Sequence, residues 1–440
     1  MTSAESKDEK TDVGSYFISN YPPYSQWTND SLADVELALD SASKEQTPLG
    51  LYLHIPFCRK RCKFCYFKVF TDVKASEVQR YVDALCSEIS LVSQLPVMGN
   101  RPFRFVYFGG GTPSFLSPKQ LTKLGDRLRQ HINWDGAEEV TFECEPGTLS
   151  ETKIKTLREE MGVTRLSLGV ENFSDELLEL NGRAHLSKEV HRAWDWIETA
   201  EFPNVNIDLI SGMVGETWDN WRENVRKTLE LSPESVTIYQ MELPYNTVFS
   251  KDMLGNRTES PVADWATKRA WVEYAFEKFQ EAGYSVSSAY TVVKDPQKVN
   301  FSYRDNLWKG ADLLATGVAS FGHANGVHYQ NLADLERYYT AIEEEGRLPL
   351  GRGFVPSQHQ RLIRELILLM KRGYLDASYF RGKFGVEIQQ VFKQQFDALS
   401  QSGDLTIDGN LIHLTTQGLL RVDGLLNAFF EPQFRGVRYT

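Results

Sequence analysis

Cysteine is scarce in this chain, with five in 440 residues. So few thiols exclude a disulfide framework as the device that holds the fold, and a reducing compartment is expected. Positive charge is also short: the formal net charge of −11 argues against a surface built throughout for nucleic-acid phosphates. The polar start Met1-Thr2-Ser3-Ala4-Glu5-Ser6 has neither the apolar centre of a secretion signal nor the length of a membrane span. These absences predict a cytoplasmic protein with a frayed N-terminus. Hydrophobic residues make up 41% and charged residues 24%, the ordinary balance of a globular protein, so neither disorder nor a fibre is indicated. The length accommodates one large domain with one or two smaller additions.

What is present is concentrated. Cys58, Cys62 and Cys65 follow the apolar, strand-like run Leu51–Ile55. Tetrahedral zinc usually recruits four ligands and a dithiol switch needs two, so three close thiols favour an iron–sulfur cluster with one iron left unligated by protein. Two other readings stay open on spacing alone. Cys62 and Cys65 form the C-x-x-C of a redox switch, and Cys58 with a distant His or Cys would complete a structural zinc site. Cys86 and Cys144 read as buried packing residues.

From Leu51 to about Tyr290, short β-branched or aromatic runs alternate with amphipathic stretches, the signature of repeated βα units. Strands are predicted at Leu51–Ile55, Arg104–Phe108, Glu139–Glu143, Thr164–Gly169, Asn204–Ile210 and Ser235–Gln240. Helices are predicted at Glu77–Val92, Lys119–His131, Leu186–Thr199 and Trp218–Leu231, with Ser117 as an N-cap and Pro118 in a first turn. Six units give a curved parallel sheet with functional loops at the C-terminal strand ends, although periodicity alone also admits an open doubly wound sheet. After Pro356, helical runs at Gln358–Lys371, Ala377–Phe384 and Ile388–Ser400 precede a hairpin through Asp404–Leu414, the order of a small winged-helix domain. Winged helices often bind DNA, but residues 356–440 hold ten Lys/Arg against eight Asp/Glu and no basic stripe, so a lid or packing role is expected.

The run His54-Ile55-Pro56-Phe57-Cys58 with its C-x-x-x-C-x-x-C spacing, followed by Gly109-Gly110-Gly111-Thr112-Pro113-Ser114, resembles the radical S-adenosylmethionine (SAM) enzymes of the oxygen-independent coproporphyrinogen III oxidase family. The resemblance extends from about Asn20 to the C-terminus. It implies an α/β chain with an N-terminal extension (1–47), an incomplete (βα)6 radical SAM barrel (48–291), an accessory closing region (292–355) and the winged-helix-like domain (356–440). It also implies a [4Fe–4S] cluster on Cys58, Cys62 and Cys65. The open iron of that cluster would chelate the amino-acid end of SAM, whose reductive cleavage yields methionine and a 5′-deoxyadenosyl radical.

By the same resemblance Gly110, Gly111 and Thr112 meet the amino-acid end of SAM, with Glu143, Glu171, Arg183 and Asp208 at further cofactor positions and Tyr52 and Phe64 as walls. Met241 and Phe321 align more loosely with backbone or apolar contacts. Taken singly, each of these residues has an ordinary alternative: a tight turn for the glycines, a helix cap for Asp208, core packing for the aromatics. His54 is left outside the catalytic set. Arg59, Lys60, Arg61 and Lys63 read either as attractors of propionates or as solvated charges.

The implied activity is oxidative decarboxylation of coproporphyrinogen III or a related tetrapyrrole in porphyrin and heme metabolism, supplied by a reductant such as flavodoxin or ferredoxin. Two positions depart from that branch. Phe67 stands where a fourth cysteine is common, and Glu171 stands where a glutamine is common. The alternatives are a heme-binding chaperone, whose His-Asn-x-x-Tyr-Trp signature is not matched by Asp305-Asn306-Leu307-Trp308, and a radical methyltransferase or heme-ring-opening enzyme, which Phe67 permits.

Overall fold

The computed structural model describes residues 19–44, 46–243, 247–249 and 262–437. The first eighteen residues of the expected N-terminal extension and the last three of the C-terminal domain lie outside that set. Among the described residues, twelve strands form one sheet: β1 Leu49–Ile55, β2 Phe103–Gly110, β3 Glu139–Cys144, β4 Arg165–Glu171, β5 Asn204–Ser211, β6 Ser235–Gln240, β7 Ser285–Ser288, β8 Thr291–Val293, β9 Asp312–Thr316, β10 Phe321–Ala324, β11 Val327–Asn331 and β12 Leu350–Phe354. All six strands expected from periodicity are present. Strands β1 to β6 lie side by side in chain order and pair in parallel. A doubly wound sheet reverses its order at a switch point; this one does not, and β6 pairs with β8 instead of returning to β1, so the barrel is incomplete.

The flanking elements widen the sheet. β9 joins β1 in parallel, and β10 to β12 continue antiparallel beyond it, while the β7–β8 hairpin extends the β6 edge. The sheet therefore runs unbroken through the boundary expected at 291/292, which falls inside β8. The expected N-terminal extension is tied in as well. Thr28 exchanges backbone hydrogen bonds of 3.0 and 2.8 Å with Gly353, and Asn325 donates to the carbonyls of Ala38 and Ser41 at 2.9 Å.

Parallel strands covered on both faces should read as nearly continuous apolar runs, and β1 does, with every residue buried except half-buried Tyr52. Helices lie at Ala75–Val92, Pro118–Arg129, Ser187–Ala200 and Trp218–Leu231, within two residues of expectation. The Pro118 helix begins as predicted: the Ser117 side chain accepts from the Gln120 amide at 3.3 Å, and the Gln120 side chain accepts from the Ser117 amide at 2.9 Å.

In the C-terminal part, β13 Tyr374–Asp376, β14 Leu405–Asp408 and β15 Leu411–Leu414 form an antiparallel sheet in the order β13-β15-β14 beside helices Gln358–Met370 and Ala377–Phe384. The single helix expected over Ile388–Ser400 is two, Ile388–Val391 and Lys393–Gln401. Phe392 breaks it, drawn into the core where its ring meets Phe429 at 5.5 Å. This unit docks on the barrel through the Ala289 amide, which donates to the Lys371 carbonyl at 2.8 Å, and through the Tyr290 hydroxyl, which donates to Asp423; within the unit the buried Lys371 ammonium lies 2.9 Å from Asp423. No helix among the described residues is long and apolar enough to cross a membrane.

Candidate functional site

The loop after β1 is closed at its base like a short ladder. The Phe70 amide donates to the Pro56 carbonyl at 2.8 Å and the Cys58 amide donates to the Phe70 carbonyl at 3.0 Å, so the intervening residues project as a tied loop above the strand ends. Three further contacts hold it. Arg59 forms a two-pronged pair with Glu145 (3.0 and 2.9 Å) and donates to the Ala184 carbonyl at 2.9 Å, and the Lys63 amide donates to the Asn181 carbonyl at 3.0 Å. Burial works against the Glu145 carboxylate, but His185 and Arg59 outweigh it and hold its pKa down at about 2. Arg59 is thus an anchor of the loop, which answers the choice between propionate attraction and solvation for that residue.

All five cysteines are free thiols. Among the described residues no group of three His, Cys, Asp or Glu side chains is arranged to hold a single metal ion. The surroundings fit a polynuclear cluster in which each thiolate takes its own iron. Thr112 donates to the Cys58 sulfur and Arg183 to the Cys62 sulfur, both at 3.4 Å, in the manner of groups that stabilise sulfur charge. Gly111 supplies the room: a Cβ there would lie 3.0 Å from the Cys58 sulfur and 2.9 Å from the Pro56 backbone. Burial pushes Cys58 up to about 11 and Cys65 up to about 12, so the thiolates need a bound cation to form near neutral pH.

Beneath the loop a cavity of about 620 Å3 opens inside the sheet. Of the sequence-predicted residues it brings together Tyr52, Phe64, Cys65, Gly111, Thr112, Glu143, Glu171, Arg183, Asp208 and Met241 on one lining. Cys58 and Cys62 belong to the tied loop above it. Gly110 stands behind the wall with φ +120°, where a Cβ would strike His54 at 2.7 Å, and its amide donates to Glu143 at 3.1 Å. Phe321 is not part of the lining; its ring packs on Tyr24 at 4.2 Å and Trp27 at 5.6 Å, because β10 lies beyond β9 on the far side of β1.

The carboxylates of the lining are held in low dielectric. Burial raises Glu143 to about 7 against the hydrogen bonds from Tyr107 (2.7 Å) and Gly110, and raises Asp208 to about 8 although Ser167 and Asn206 donate to it at 2.7 and 2.8 Å. Glu171, in the left-handed region at φ +62°, is likewise raised by burial and opposed by Arg183, 3.5 Å away. Arg183 also donates to the Gly169 carbonyl at 2.8 Å. His54 is buried with its pKa lowered to about 4; the Tyr52 hydroxyl lies 3.1 Å from its Nδ1, and its Nε2 has no hydrogen-bond partner among the described residues. Met241 joins an apolar corner with Ile210, Met213 and Phe64, and Lys268 donates to its carbonyl at 2.9 Å.

Sequence reasoning missed Tyr107, Glu145, Ser167 and Asn206. A signal for two of them, Ser167 and Asn206, was present. In strands that are otherwise apolar, polar or aromatic residues recur at every second position: Glu139, Thr141 and Glu143 on β3; Arg165, Ser167, Gly169 and Glu171 on β4; Asn206 and Asp208 on β5. A period of two places them on one face, and that face lines the cavity.

Three comparisons bear on this geometry. The profile of the radical SAM superfamily matches residues 52–228. The chain is 30% identical over 378 residues to the heme chaperone HemW of Lactococcus lactis subsp. lactis, covering 85% of this chain and 95% of that protein. It is 26% identical over 431 residues to the oxygen-independent coproporphyrinogen III oxidase of Synechocystis, covering 93% and 91%. Among solved structures, the coproporphyrinogen III oxidase HemN from Escherichia coli, described as a radical SAM enzyme, superposes with a TM-score of 0.81 at 23% identity over 94% of this chain and 96% of that one. This last likeness bears on the fold.

Proposed function

Because the chain belongs to the radical SAM family that includes the oxygen-independent coproporphyrinogen III oxidases and HemW, and so uses a [4Fe–4S] cluster with SAM, we propose that it is a radical SAM enzyme acting on a tetrapyrrole. Its leading reaction is oxidative decarboxylation of propionate side chains such as those of coproporphyrinogen III. The observation that carries this reading is the opening of the tied cysteine loop onto a cavity whose wall joins Gly111, Thr112, Glu143, Glu171, Arg183 and Asp208. Bound there, the cluster and SAM would supply a 5′-deoxyadenosyl radical that takes a hydrogen atom from the substrate.

This chain's own residues position and shield. Cys58, Cys62 and Cys65 would hold the cluster, with Thr112 and Arg183 stabilising charge on the Cys58 and Cys62 sulfurs. Gly111 would let the backbone approach the amino-acid end of SAM, and Glu143 would accept from its ammonium. Tyr52 and Phe64 wall the cavity against water and stray hydrogen donors. A reductant such as flavodoxin or ferredoxin supplies the electron.

The test is anaerobic mass spectrometry of the reconstituted, reduced protein with SAM, coproporphyrinogen III and an electron acceptor. Loss of carboxyl groups in sequence is expected. Cys62→Ser, which removes one of three protein ligands, is expected to abolish both cluster loading and 5′-deoxyadenosine; cleavage retained in that variant would sink the assignment. One observation favours a second reading. Phe67 is 50% exposed and lines the cavity where the resembled oxidases commonly place a cysteine, which suits methyl transfer to heme or opening of its ring. Methylated or ring-opened heme in a parallel incubation would select it. The chaperone reading lacks its imidazole: Asp305 is paired with Arg304 at 2.8 Å and Arg372 at 3.7 Å, and stable heme binding without turnover would be needed to revive it.

A further inference from the structure

The far end of the cavity is chemically unlike the cysteine end. Arg165 is the first residue of β4 and Glu171 the last, so the two stand about 20 Å apart along one strand. Below the strand starts, helix Ser302–Trp308 comes up against the barrel, its Ser302 amide donating to Glu139 at 2.7 Å. This helix delivers Arg304 beside Arg165. Both guanidiniums stack on the ring of Phe301, at 3.7 Å for Arg165 and 4.5 Å for Arg304, and all three residues line the cavity.

The charges there are incompletely matched. Arg165 has a side chain only 4% exposed. Its terminal nitrogens donate to the Ser235 hydroxyl at 3.1 Å and the Asn300 carbonyl at 3.2 Å, while its Nε has no hydrogen-bond partner among the described residues. The nearest carboxylate, Glu139, is 3.7 Å away, beyond a hydrogen bond, and its two oxygens already accept from Ser302 and Thr141. Arg304 gives its Nε to Asp305 at 2.8 Å, but both terminal nitrogens rest on one neutral acceptor, the Ser287 hydroxyl at 3.2 Å. Asp305 is shared with Arg372. Burial disfavours both charges, and Arg304 adds to the cost at Arg165. A buried cation that lines a cavity with its charge incompletely matched is stabilised by an incoming anion, and the planar guanidinium fork matches a carboxylate.

We propose that Arg165 and Arg304 form an anion subsite that holds a carboxylate of the substrate at the opposite end of the cavity from the cysteines. The proposal rests on the tetrapyrrole reading and deepens it. A macrocycle with carboxylates on opposite edges presents one edge to SAM while another edge is held on the arginine floor. Between the ends, Tyr52, Tyr107 and Tyr303 form a column of rings 5.9 and 4.4 Å apart, a surface suited to a flat conjugated or partly reduced ring system.

The test is equilibrium titration of the reconstituted full chain with coproporphyrin III and, separately, with its tetramethyl ester, followed by fluorescence. The wild type is expected to prefer the free acid by about tenfold, the usual worth of a charge-assisted hydrogen-bond pair. Arg304→Gln should lose that preference, Arg304→Lys should retain part of it, and 5′-deoxyadenosine formation without substrate should be unchanged in both. Equal affinity of the wild type for acid and ester overturns the subsite and needs no variant to fold. So does an Arg304→Gln protein that unfolds at the wild-type temperature and keeps the full preference. A wild type that binds neither compound nor heme overturns the tetrapyrrole reading itself, and the subsite falls with it.

Discussion

Toward the C-terminal ends of β3, β4 and β5 stand Glu143, Glu171 and Asp208, whereas the same cavity is floored by Arg165 at the start of β4 and by Arg304 from the helix below. One end gathers three carboxylates around the single guanidinium of Arg183, and the other gathers two guanidiniums beside the single carboxylate of Glu139, inside a single wall of parallel strands. The contrast is one of expected ligand. Buried carboxylates are costly when ionised and become less so beside a sulfonium and an ammonium; buried guanidiniums are relieved by a substrate carboxylate. A cavity polarised in this way orients a two-part occupant without a dedicated clamp for each half.

The severest way to break the contrast is to damage one end alone. Glu145→Gln removes the partner of Arg59 and His185 beneath the cysteine loop. A stability loss of about 2 kcal/mol is expected, reduced from the usual cost of splitting a buried pair because Arg59 is partly exposed. Cluster loading should fall while coproporphyrin binding persists; iron content and a porphyrin titration on the same preparation check this. If both readouts fall together, the ends are not separable.

A milder variant sharpens the contrast. Glu143→Gln keeps the shape of the side chain but withdraws the charge, and it should weaken SAM binding about tenfold while leaving the acid-over-ester preference intact, the reverse of Arg304→Gln. Equal losses at both ends in either variant would mean that the residues act through the fold instead of through their ligands.

The pH dependence follows from the same carboxylates. Glu143 and Asp208 rise from 4.5 and 3.8 to about 7 and about 8, so across that window the folded chain keeps protons that the unfolded chain has released. Their contribution to stability therefore declines as pH rises from about 4 to about 8. Glu145, at about 2, acts in the opposite sense, and its contribution is lost as pH falls through the acid range. Occupation by cationic SAM should favour the ionised forms, release protons near pH 7, and tighten binding severalfold between pH 6 and pH 8. Calorimetry in buffers of different ionisation enthalpy reads the proton count; proton uptake would contradict the assignment of this end to a cation. The smallest effect expected is a control: Ser117→Ala removes a helix cap outside the cavity and should cost about 0.5 kcal/mol in thermal unfolding with neither ligand affected.

Much of this arrangement was legible before folding. The six barrel strands were readable because strands buried on both faces must be apolar, and the cysteine loop was readable because three thiols at that spacing suit few ligands. The polar residues at every second position on β3, β4 and β5 marked the cavity face, although only Glu143, Glu171 and Asp208 were drawn from it. The resemblance puts Phe321 with the site, and it stands instead against Tyr24 and Trp27, since a loose match in sequence does not set which side of β1 a strand joins. The break at Phe392 was hidden because helical periodicity continues through it and only burial against Phe429 decides the turn.

The sequence by itself determined the order of βα units, the cysteine loop and the glycine turn, because these are local: each depends on side-chain periodicity, spacing and backbone freedom within a few residues. Only the tertiary structure decided that Arg59 is an anchor for Glu145, that Gly111 clears space over Cys58, and that Arg165 and Arg304 meet across Phe301. Those pairings join residues far apart along the chain. The packing of loops and helices onto the sheet brings them together, and burial in low dielectric makes their charges matter.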